Sequence, residues 1–284
     1  MTPATLPPLF VPADAPANTT DDREWWEATE YARGPWDPLH CHGGPVSAML
    51  ARTCERVDDG SATTWQITRL TIELTRPVPV GVPLGIQSTV ERPGRKVSVV
   101  AASMATAAGV EVAKVRSLRV RRVEFELDEH PIAAPEITGP PGAGRREQVT
   151  WASDGTHTMF HRDGAEHRIV EGSWTAPGPI KLWVKLLTNI VDNETPSGVQ
   201  RAAAAADFGN GVSSAIDFER YLFINPDLTV HLSRTPVGEW IGMSTHSSYG
   251  SATASSGAGF AESALHDADG RVGRSVQSLF VDTR

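Results

Sequence analysis

Several features that define large classes of proteins are scarce or absent in this sequence of 284 residues. Only two cysteines, Cys41 and Cys54, are present, which is too few for a disulfide framework and favours a reducing compartment. No apolar run approaches the roughly 18 residues of a membrane-spanning helix, so we expect a soluble protein. The first residues, MTPATLPPLFVPAD, have neither a basic segment nor a long apolar segment. We therefore expect no signal peptide and a cytoplasmic location.

Basic residues are fewer than acidic residues. The sequence has 26 Lys and Arg against 34 Asp and Glu, a formal net charge of −8, so no nucleic-acid partner is expected. It lacks a GxSxG nucleophile elbow and a GxxxxGK[ST] phosphate loop, which argues against an α/β serine hydrolase and a nucleoside triphosphatase. Turn residues, in contrast, are plentiful: 25 Gly and 21 Pro separate many short periodic segments.

An internal repeat organises these segments. TIELTRPVPVGVPL, which begins at Thr71, resembles TVHLSRTPVGEWIG, which begins at Thr229. Later in each half, EVAKVRSLRV resembles VGRSVQSLFV. The spacing is similar, because Thr71 and Ser117 are 46 positions apart and Thr229 and Ser278 are 49 positions apart. We therefore predict two copies of one structural unit.

Each copy is predicted to contain one helix and several antiparallel strands. GGPVSAMLARTCERV and SGVQRAAAAADF have helical apolar spacing, with Pro45 at the first position of one helix and Ser197 as the N-cap of the other. Alternation and turn residues predict strands over 25–31, 65–76, 84–91, 96–105, 111–122, 168–174, 221–233, 240–247, 257–266 and 271–283. The Pro- and Gly-rich segment 129–150 is predicted to link a domain at residues 1–128 to one at residues 151–284.

Five strings along the chain point to a known family: HGGPVSAMLAR, RLTIELTRPVPVG, QRAAAAADFGNG, FINPDLTVHLSRTPVGEW and GRSVQSLFV. Together with the repeat, their order resembles the double hotdog acyl-CoA thioesterases, the acyl-CoA thioesterase II family and its relatives. The resemblance implies an α+β fold of two hotdog units, each an antiparallel sheet with a central helix. It also implies hydrolysis of acyl-CoA to free fatty acid and CoA by an activated water, with no metal, cofactor or covalent intermediate. Because hotdog proteins commonly assemble further, a homo-oligomer is expected.

The same resemblance implies which residues are catalytic. The family has an Asp just after the second helix, a Thr or Ser on the next strand and a Gln on the last strand. These positions fall on Asp207, on Asn225 or Thr229, and on Gln277. Asp207 is expected to activate the water as a base, and Asn225 and Gln277 are expected to orient it. Asn225 departs from the family pattern, but its amide can both donate to and accept from a water, so we prefer it to Thr229. In the alignment of the two halves, Arg116 is the counterpart of Gln277.

The chemistry of these residue types supports the assignment. Asp207 is predicted at the C-terminal end of its helix, where the dipole disfavours a carboxylate by up to ~1 kcal/mol and makes it a better base if it is partly buried. Gly43 and Gly44 open the first helix, whose unpaired N–H groups suit a developing oxyanion, and we prefer Gly44 to Gly43 as the donor. The structural alternatives are that Asp207 caps the turn at FGNG, that Gln277 is a strand-edge amide, and that the glycines only permit a tight turn into the helix.

Other functions remain open at this stage. The triplet His40-Cys41-His42 is compatible with a metal site or with a cysteine nucleophile. Three adjacent residues rarely complete a tetrahedral zinc site. For a nucleophile, Cys41 would need a histidine base close to it, but neighbouring side chains on an extended segment point apart. Asp227 and His231 resemble the Asp and His pair that enoyl-CoA hydratases with a hotdog fold use, so a hydratase is a second alternative. A non-catalytic acyl-CoA or lipid-binding double hotdog protein is the third alternative, and the departure at the middle catalytic position supports it.

Two further groups of residues carry weaker signals. The eight tryptophans are expected in core packing, and some of them are compatible with an acyl tunnel between the halves. His157 and His161, in GTHTMFHRDG, are expected at a junction between a loop and a strand.

Overall fold

The chain forms a few helices and many strands in two similar halves. A computed structural model describes residues 6–17, 22–125, 137, 139–147, 156–250 and 256–284. The strands within these ranges are β1 (Phe10–Pro12), β2 (Glu24–Ala28), β3 (Trp65–Glu73), β4 (Pro83–Arg92), β5 (Val97–Thr106), β6 (Glu111–Arg121), β7 (Arg145–Arg146), β8 (Ala165–Glu171), β9 (Ile180–Leu186), β10 (Tyr221–Ile224), β11 (Asp227–Leu232), β12 (Trp240–Ser248), β13 (Ala258–Asp267) and β14 (Gly270–Thr283). The helices are α1 (Gly43–Arg56), α2 (Gly198–Ala206) and α3 (Gly209–Val212), with a 3-10 turn at Glu30–Ala32 and a π-helical turn at Phe160–Gly164.

The strands pair into one antiparallel sheet that runs through both halves. Its order is β1-β2-β4-β5-β6-β3-β11-β14-β13-β12-β9-β8-β7, and β10 pairs with β14. The halves join where β3 lies beside β11, and there Thr229 lies opposite Thr71. The two copies of the repeat therefore meet at equivalent residues. The arrangement agrees with the predicted α+β architecture of two units, each a sheet with one main helix.

Both main helices begin at residues that cap their first turn. The start of α2 is as predicted, whereas α1 begins at Gly43, so Pro45 is its third residue and not its first. His42 caps α1, since its Nδ1 accepts a hydrogen bond from the Gly44 N–H at 3.0 Å. Ser197 caps α2 in a capping box with Gln200. A run of buried alanines, 202–206, gives α2 a small cross-section, and α2 contacts α1 in the interior. The end of α2 thereby lies near the start of α1, which is where the candidate site is found.

The strand register corrects the alignment of the two halves. Thr71 lies opposite Arg116, and its equivalent Thr229 lies opposite Val276. Arg116 is therefore the counterpart of Val276, and its alignment with Gln277 is wrong by one residue. A slip of one residue turns the side chains of a strand to the opposite face. Accordingly, Arg116 is exposed on the outer face of the sheet, whereas Gln277 is buried.

The structure differs from the predicted strands mainly around a proline. The segment predicted as one strand, 221–233, is interrupted at Asn225 and Pro226. Proline has no N–H to donate to a ladder, so the pairing changes there: β10 pairs with β14 alone, and β11 pairs with both β14 and β3. Strands β1, β7 and β9 are additions to the predicted set. Of the predicted linker at 129–150, only residues 137 and 139–147 are described, and the domain boundaries stay a prediction.

The main hydrophobic core lies between the helices and the inner face of the sheet. Met49 and Leu50 of α1 are fully buried there, as are Ile72 of β3 and Val230 of β11. The apolar positions of the strands alternate with exposed ones, as expected for a sheet that is covered on one face. Among the described residues, no helix is both long enough and apolar enough to cross a membrane.

Candidate active site

A cavity of about 160 Å³ opens between the start of α1 and the end of α2. Its lining includes His42, Gly43, His161, Asp207, Phe208 and Asn225. Further aromatic side chains in its wall are Trp36, Trp174 and Phe218. The cavity is thus mainly apolar with a few polar groups on one side, which is the usual composition of a small-molecule site.

Asp207 is the acidic residue of this cavity. It is the C-cap of α2, and only 4% of its side chain is exposed. Burial and the C-terminal end of a helix both oppose a negative charge. A carboxylate in this position therefore needs hydrogen-bond donors around it.

Three side chains from different parts of the chain surround the Asp207 carboxylate. The Nδ1 atom of His42 lies 2.8 Å from Oδ2, and the Nδ2 group of Asn225 donates to Oδ1 at 2.8 Å. The Nε2 group of Gln277 donates to the backbone oxygen of Asp207 at 3.2 Å and lies 3.5 Å from Oδ1. Three of the predicted residues, Asp207, Asn225 and Gln277, therefore come together around one buried carboxylate.

Asn225 reaches the carboxylate because of the interruption between β10 and β11. It is the residue just before Pro226, and a residue before proline is restricted to extended conformations. The carbonyl oxygen of Pro226 accepts a hydrogen bond from the Leu74 N–H at 2.8 Å, which holds this corner against the end of β3. The amide of Asn225 therefore both contacts Asp207 and lines the cavity.

Gln277 contacts Asp207 from the buried side of the site. Its side chain is buried, with 1% of the residue exposed, and it is not among the residues that line the cavity. Its Oε1 atom accepts a hydrogen bond from the Asn210 N–H at 2.9 Å, so the amide connects β14 to the segment after α2. This geometry makes Gln277 a positioning residue for Asp207.

The two glycines of HGGP differ in what they contact. A Cβ atom on Gly43 would lie only 2.6 Å from Oδ1 of Asp207, so the backbone passes directly beside the carboxylate. A Cβ atom on Gly44 would lie 2.9 Å from both the Ala204 carbonyl oxygen and the Phe160 ring. Gly43 lines the cavity, whereas Gly44 packs α1 against α2.

His42 is the site residue whose role the sequence did not indicate. Its ring packs against Phe160 and Phe208, with centroid separations of 5.2 and 4.9 Å, and 12% of the side chain is exposed. Its Nδ1 atom lies within hydrogen-bond distance of both Asp207 and the Gly44 N–H. One nitrogen can donate a proton or accept one, so it serves only one of these partners at a time. The available signal was a histidine directly before the glycine pair, but its place in the triplet His40-Cys41-His42 indicates a metal ligand or a base for a cysteine nucleophile instead.

The remaining candidates lie elsewhere or are held in other interactions. Thr229 pairs with Thr71 and Val276 in the sheet and is not in the cavity lining. Asp227 accepts a hydrogen bond from the Ser278 N–H at 2.7 Å, and His231, four residues further along β11, is exposed. Neither of these two residues lines the cavity.

The triplet before α1 does not provide a reactive thiol. Burial raises the pKa of the Cys41 thiol far above its usual range, with a small opposing effect of Arg33. A thiolate is the nucleophilic form, so this cysteine is held in its inert form. Within the described residues, no group of three His, Cys, Asp or Glu side chains is arranged to hold a metal ion.

We expect Gly43→Ala to impair the site selectively. Its methyl group would overlap the Asp207 carboxylate and displace it, and a displacement of about 1 Å in a group expected to be catalytic costs roughly 10² in rate. The measurement is kcat/KM for the thioester hydrolysis that the sequence resemblance implies, with circular dichroism and thermal unfolding as the check on folding. A folded Gly43→Ala protein with the wild-type rate would show that the position of this carboxylate is unimportant.

Comparison with family models matches both halves of the chain. The model of an acyl-CoA thioesterase N-terminal domain matches residues 32–122, and the model of an acyl-CoA thioesterase C-terminal domain matches residues 131–281. No curated protein matches the chain significantly.

Solved structures share the fold at low sequence identity. A protein of unknown function with a hot dog fold from Alicyclobacillus acidocaldarius is 17% identical, with a TM-score of 0.69 over 95% of this chain and 97% of the other. A TesB protein of Mycobacterium avium subspecies paratuberculosis is 15% identical, with a TM-score of 0.60 over 92% and 96% of the two chains. The acyl-CoA thioesterase II TesB2 of Mycobacterium marinum is 13% identical, with a TM-score of 0.59 over 93% and 94%. These similarities confirm the predicted double hotdog fold.

Proposed function

The chain belongs to the acyl-CoA thioesterase family and is a thioester hydrolase, and on this premise we propose that it hydrolyses acyl-CoA with a water activated by Asp207. The observation that carries the proposal is the buried Asp207 carboxylate at the cavity wall, in contact with His42 and Asn225. A thioester carbonyl needs a nucleophile, a base and a donor for the developing oxyanion. The carboxylate is the candidate base for a water nucleophile, and the start of α1 beside it has N–H groups that can act as donors.

Asp207 is the proposed base. Asn225 and Gln277 donate to Oδ1, and His42 is the donor beside Oδ2. The second lone pair of Oδ2 accepts the proton of the attacking water. The water oxygen adds to the carbonyl carbon, the C–S bond breaks, and the proton taken by Asp207 is returned to the departing CoA thiolate. General-base catalysis of this kind contributes about 10²–10⁴ to the rate.

In this proposal, a proton on Nδ1 of His42 decides whether the Gly44 N–H has a hydrogen-bond acceptor. When Asp207 is ionised, a proton on Nδ1 of His42 is donated to Oδ2 at 2.8 Å, and Nδ1 then has no lone pair for the Gly44 N–H. The Gly44 N–H is then without its acceptor at the N-terminus of α1, next to that of Gly43. Gly43 lines the cavity, so we assign its N–H to the oxyanion, with the Gly44 N–H as a second donor in the same turn. One lost donor typically costs about 10²–10³ in kcat.

The size of the cavity suggests the class of acyl group. Its volume of about 160 Å³ is close to that of an apolar cavity that holds one benzene molecule. Aromatic side chains at Trp36, Trp174 and Phe218 form much of its apolar wall. We therefore expect kcat/KM to be highest for short acyl groups and to fall for long ones.

The experiment that tests the function is CoA release from a series of acyl-CoAs, from acetyl-CoA to palmitoyl-CoA, followed with a thiol reagent. Hydrolysis with a preference for short chains is the expected result. Binding across the series without CoA release would instead support the non-catalytic acyl-CoA or lipid-binding protein. In a parallel assay with crotonyl-CoA, addition of water without release of thiol would support the enoyl-CoA hydratase.

Self-association is a further part of the proposal. Phe260, Val276 and Phe280 lie on the outer face of β13 and β14 and are 43%, 36% and 47% exposed. Apolar side chains grouped in this way on a sheet face are typical of protein interfaces. Sedimentation analysis of the purified chain measures whether a homo-oligomer forms.

A further inference from the structure

One histidine in the cavity wall has no role in the chemistry described above. His161 lies in the π-helical turn Phe160–Gly164, and only 5% of the residue is exposed. It lines the same cavity as Asp207, and its ring centroid is 6.5 Å from that of His42. Among the residues that the structure describes, neither ring nitrogen of His161 has a hydrogen-bond partner.

The local backbone holds His161 in this position. Its carbonyl oxygen lies 3.0 Å from Nε2 of His167, which is itself buried against Phe208 and Trp174. The Phe160 N–H donates to the Arg33 carbonyl oxygen at 2.9 Å, which ties the start of the turn to the segment before α1. Single π-helical turns occur frequently at functional sites. The ring is thus a fixed feature of the cavity.

A buried imidazole with two unsatisfied nitrogens is unfavourable unless a ligand or a water completes its hydrogen bonds. Burial lowers the pKa of His161 to about 3, and the charges of His42 and Arg162 act in the same direction. The ring is therefore neutral at physiological pH. A neutral imidazole carries one N–H donor and one acceptor, and a neutral histidine can polarise a substrate carbonyl.

We propose that His161 donates a hydrogen bond to the carbonyl oxygen of the bound thioester and is a catalytic residue that stabilises the oxyanion. This inference rests on the proposed function. The carbonyl oxygen is the strong acceptor of a thioester, because sulfur accepts weakly and a simple acyl chain has no other polar atom. Since the cavity is small and its wall includes both Asp207 and His161, a carbonyl carbon next to the carboxylate brings its oxygen into the part of the cavity that His161 lines.

The test uses two non-hydrolysable CoA analogues that differ in the carbonyl. One is a ketone, in which a methylene group replaces the sulfur and the carbonyl is kept. The other is an S-alkyl thioether, in which the sulfur is kept and the carbonyl is absent. We expect His161→Phe to weaken binding of the ketone about tenfold, the loss of one good hydrogen bond, and to leave binding of the thioether unchanged. Calorimetry with the wild-type protein and the variant gives both affinities.

Kinetics and spectroscopy supply independent readouts. For hydrolysis, kcat should fall by about 10²–10³ in His161→Phe with a small change in KM, and the loss should be the same across the neutral and mildly alkaline range because the ring is neutral there. His161→Gln, which keeps an N–H donor, should recover part of the rate. The ¹³C carbonyl resonance of the labelled ketone should shift on binding to the wild-type protein, and this shift should be smaller in His161→Phe. His157→Phe is the control, since His157 is an exposed histidine nearby that does not line the cavity.

The outcomes separate this inference from the proposed function. Equal weakening of both analogues in His161→Phe, or unchanged ketone binding, would overturn the role of His161 and assign the ring to packing or to a bound water. If His161→Phe does not fold, the same comparison is made with His161→Gln, whose ketone affinity should fall less than tenfold with thioether affinity unchanged. A wild-type protein that binds both analogues but releases no CoA from any acyl-CoA would overturn the proposed function, while the difference between the analogues would still test His161.

Discussion

Asp207→Ala should reduce CoA release to the background rate, and Asp207→Asn should do the same. The proposed base contributes about 10²–10⁴ to the rate, and neither alanine nor asparagine can accept the proton of the attacking water. Asparagine is close to the size of aspartate and can still accept hydrogen bonds from Asn225 and Gln277, so the site geometry is expected to survive in that variant. The measurement is kcat under saturating acyl-CoA, with far-UV circular dichroism to confirm the fold.

Asp227→Asn is the matched control for this prediction. Asp227 lies on β11, outside the cavity lining, and its carboxylate accepts a hydrogen bond from the Ser278 N–H. It is also the acid that an enoyl-CoA hydratase would use in this chain. We expect Asp227→Asn to keep the wild-type rate of CoA release. An undiminished rate in the folded Asp207 variants would rule out the proposed base.

The sequence was informative about this site where its signals are local. The helix ending in AADFGNG predicts Asp207 at its C-terminal end, and the family resemblance of five spaced strings implies Asn225 and Gln277. Gln277 is on β14, whereas Asn225 lies between β10 and β11. The repeat and the apolar periods predict two similar halves, and the strands at β3 to β6 and β12 to β14 follow from alternation alone. Such features depend on a few neighbouring residues, so they can be read from the chain.

What could not be read depends on contacts between distant residues. His42 and Asp207 are in opposite halves of the sequence, and they meet only because α1 and α2 pack with the start of one beside the end of the other. His161 enters the cavity through a π-helical turn that has no simple periodic signature. The alignment of Arg116 with Gln277 is wrong for a similar reason. An alignment of the two halves that is shifted by one residue matches the letters equally well, but it exchanges the two faces of the strand.

His42 is the second residue whose replacement should have a large effect. His42→Asn removes the imidazole beside Asp207 but keeps a preferred N-cap residue, so the cap on the Gly44 N–H can be replaced. We expect kcat to fall by about 10²–10³, because the buried carboxylate loses its donor at Oδ2 and the Gly44 N–H stays occupied by the cap. The free energy of unfolding, measured with urea, should change little. His42→Ala should lose a similar amount of activity and, in addition, about 1 kcal/mol of stability, the typical cost of a lost cap.

The comparison of these two variants separates the two functions that His42 has in the fold. If activity is lost only in the destabilised variant, His42→Ala, and is kept in His42→Asn, the residue acts only as a cap. His40→Asn is the control, because His40 precedes the same helix, pairs with Asp37 at 3.2 Å and is absent from the cavity lining. Loss of activity in His42→Asn, with stability and the His40 control both unchanged, would assign the imidazole to the catalytic step. In that step the proton on Nδ1 of His42 is donated to Asp207, which leaves the Gly44 N–H at the start of α1 without its acceptor.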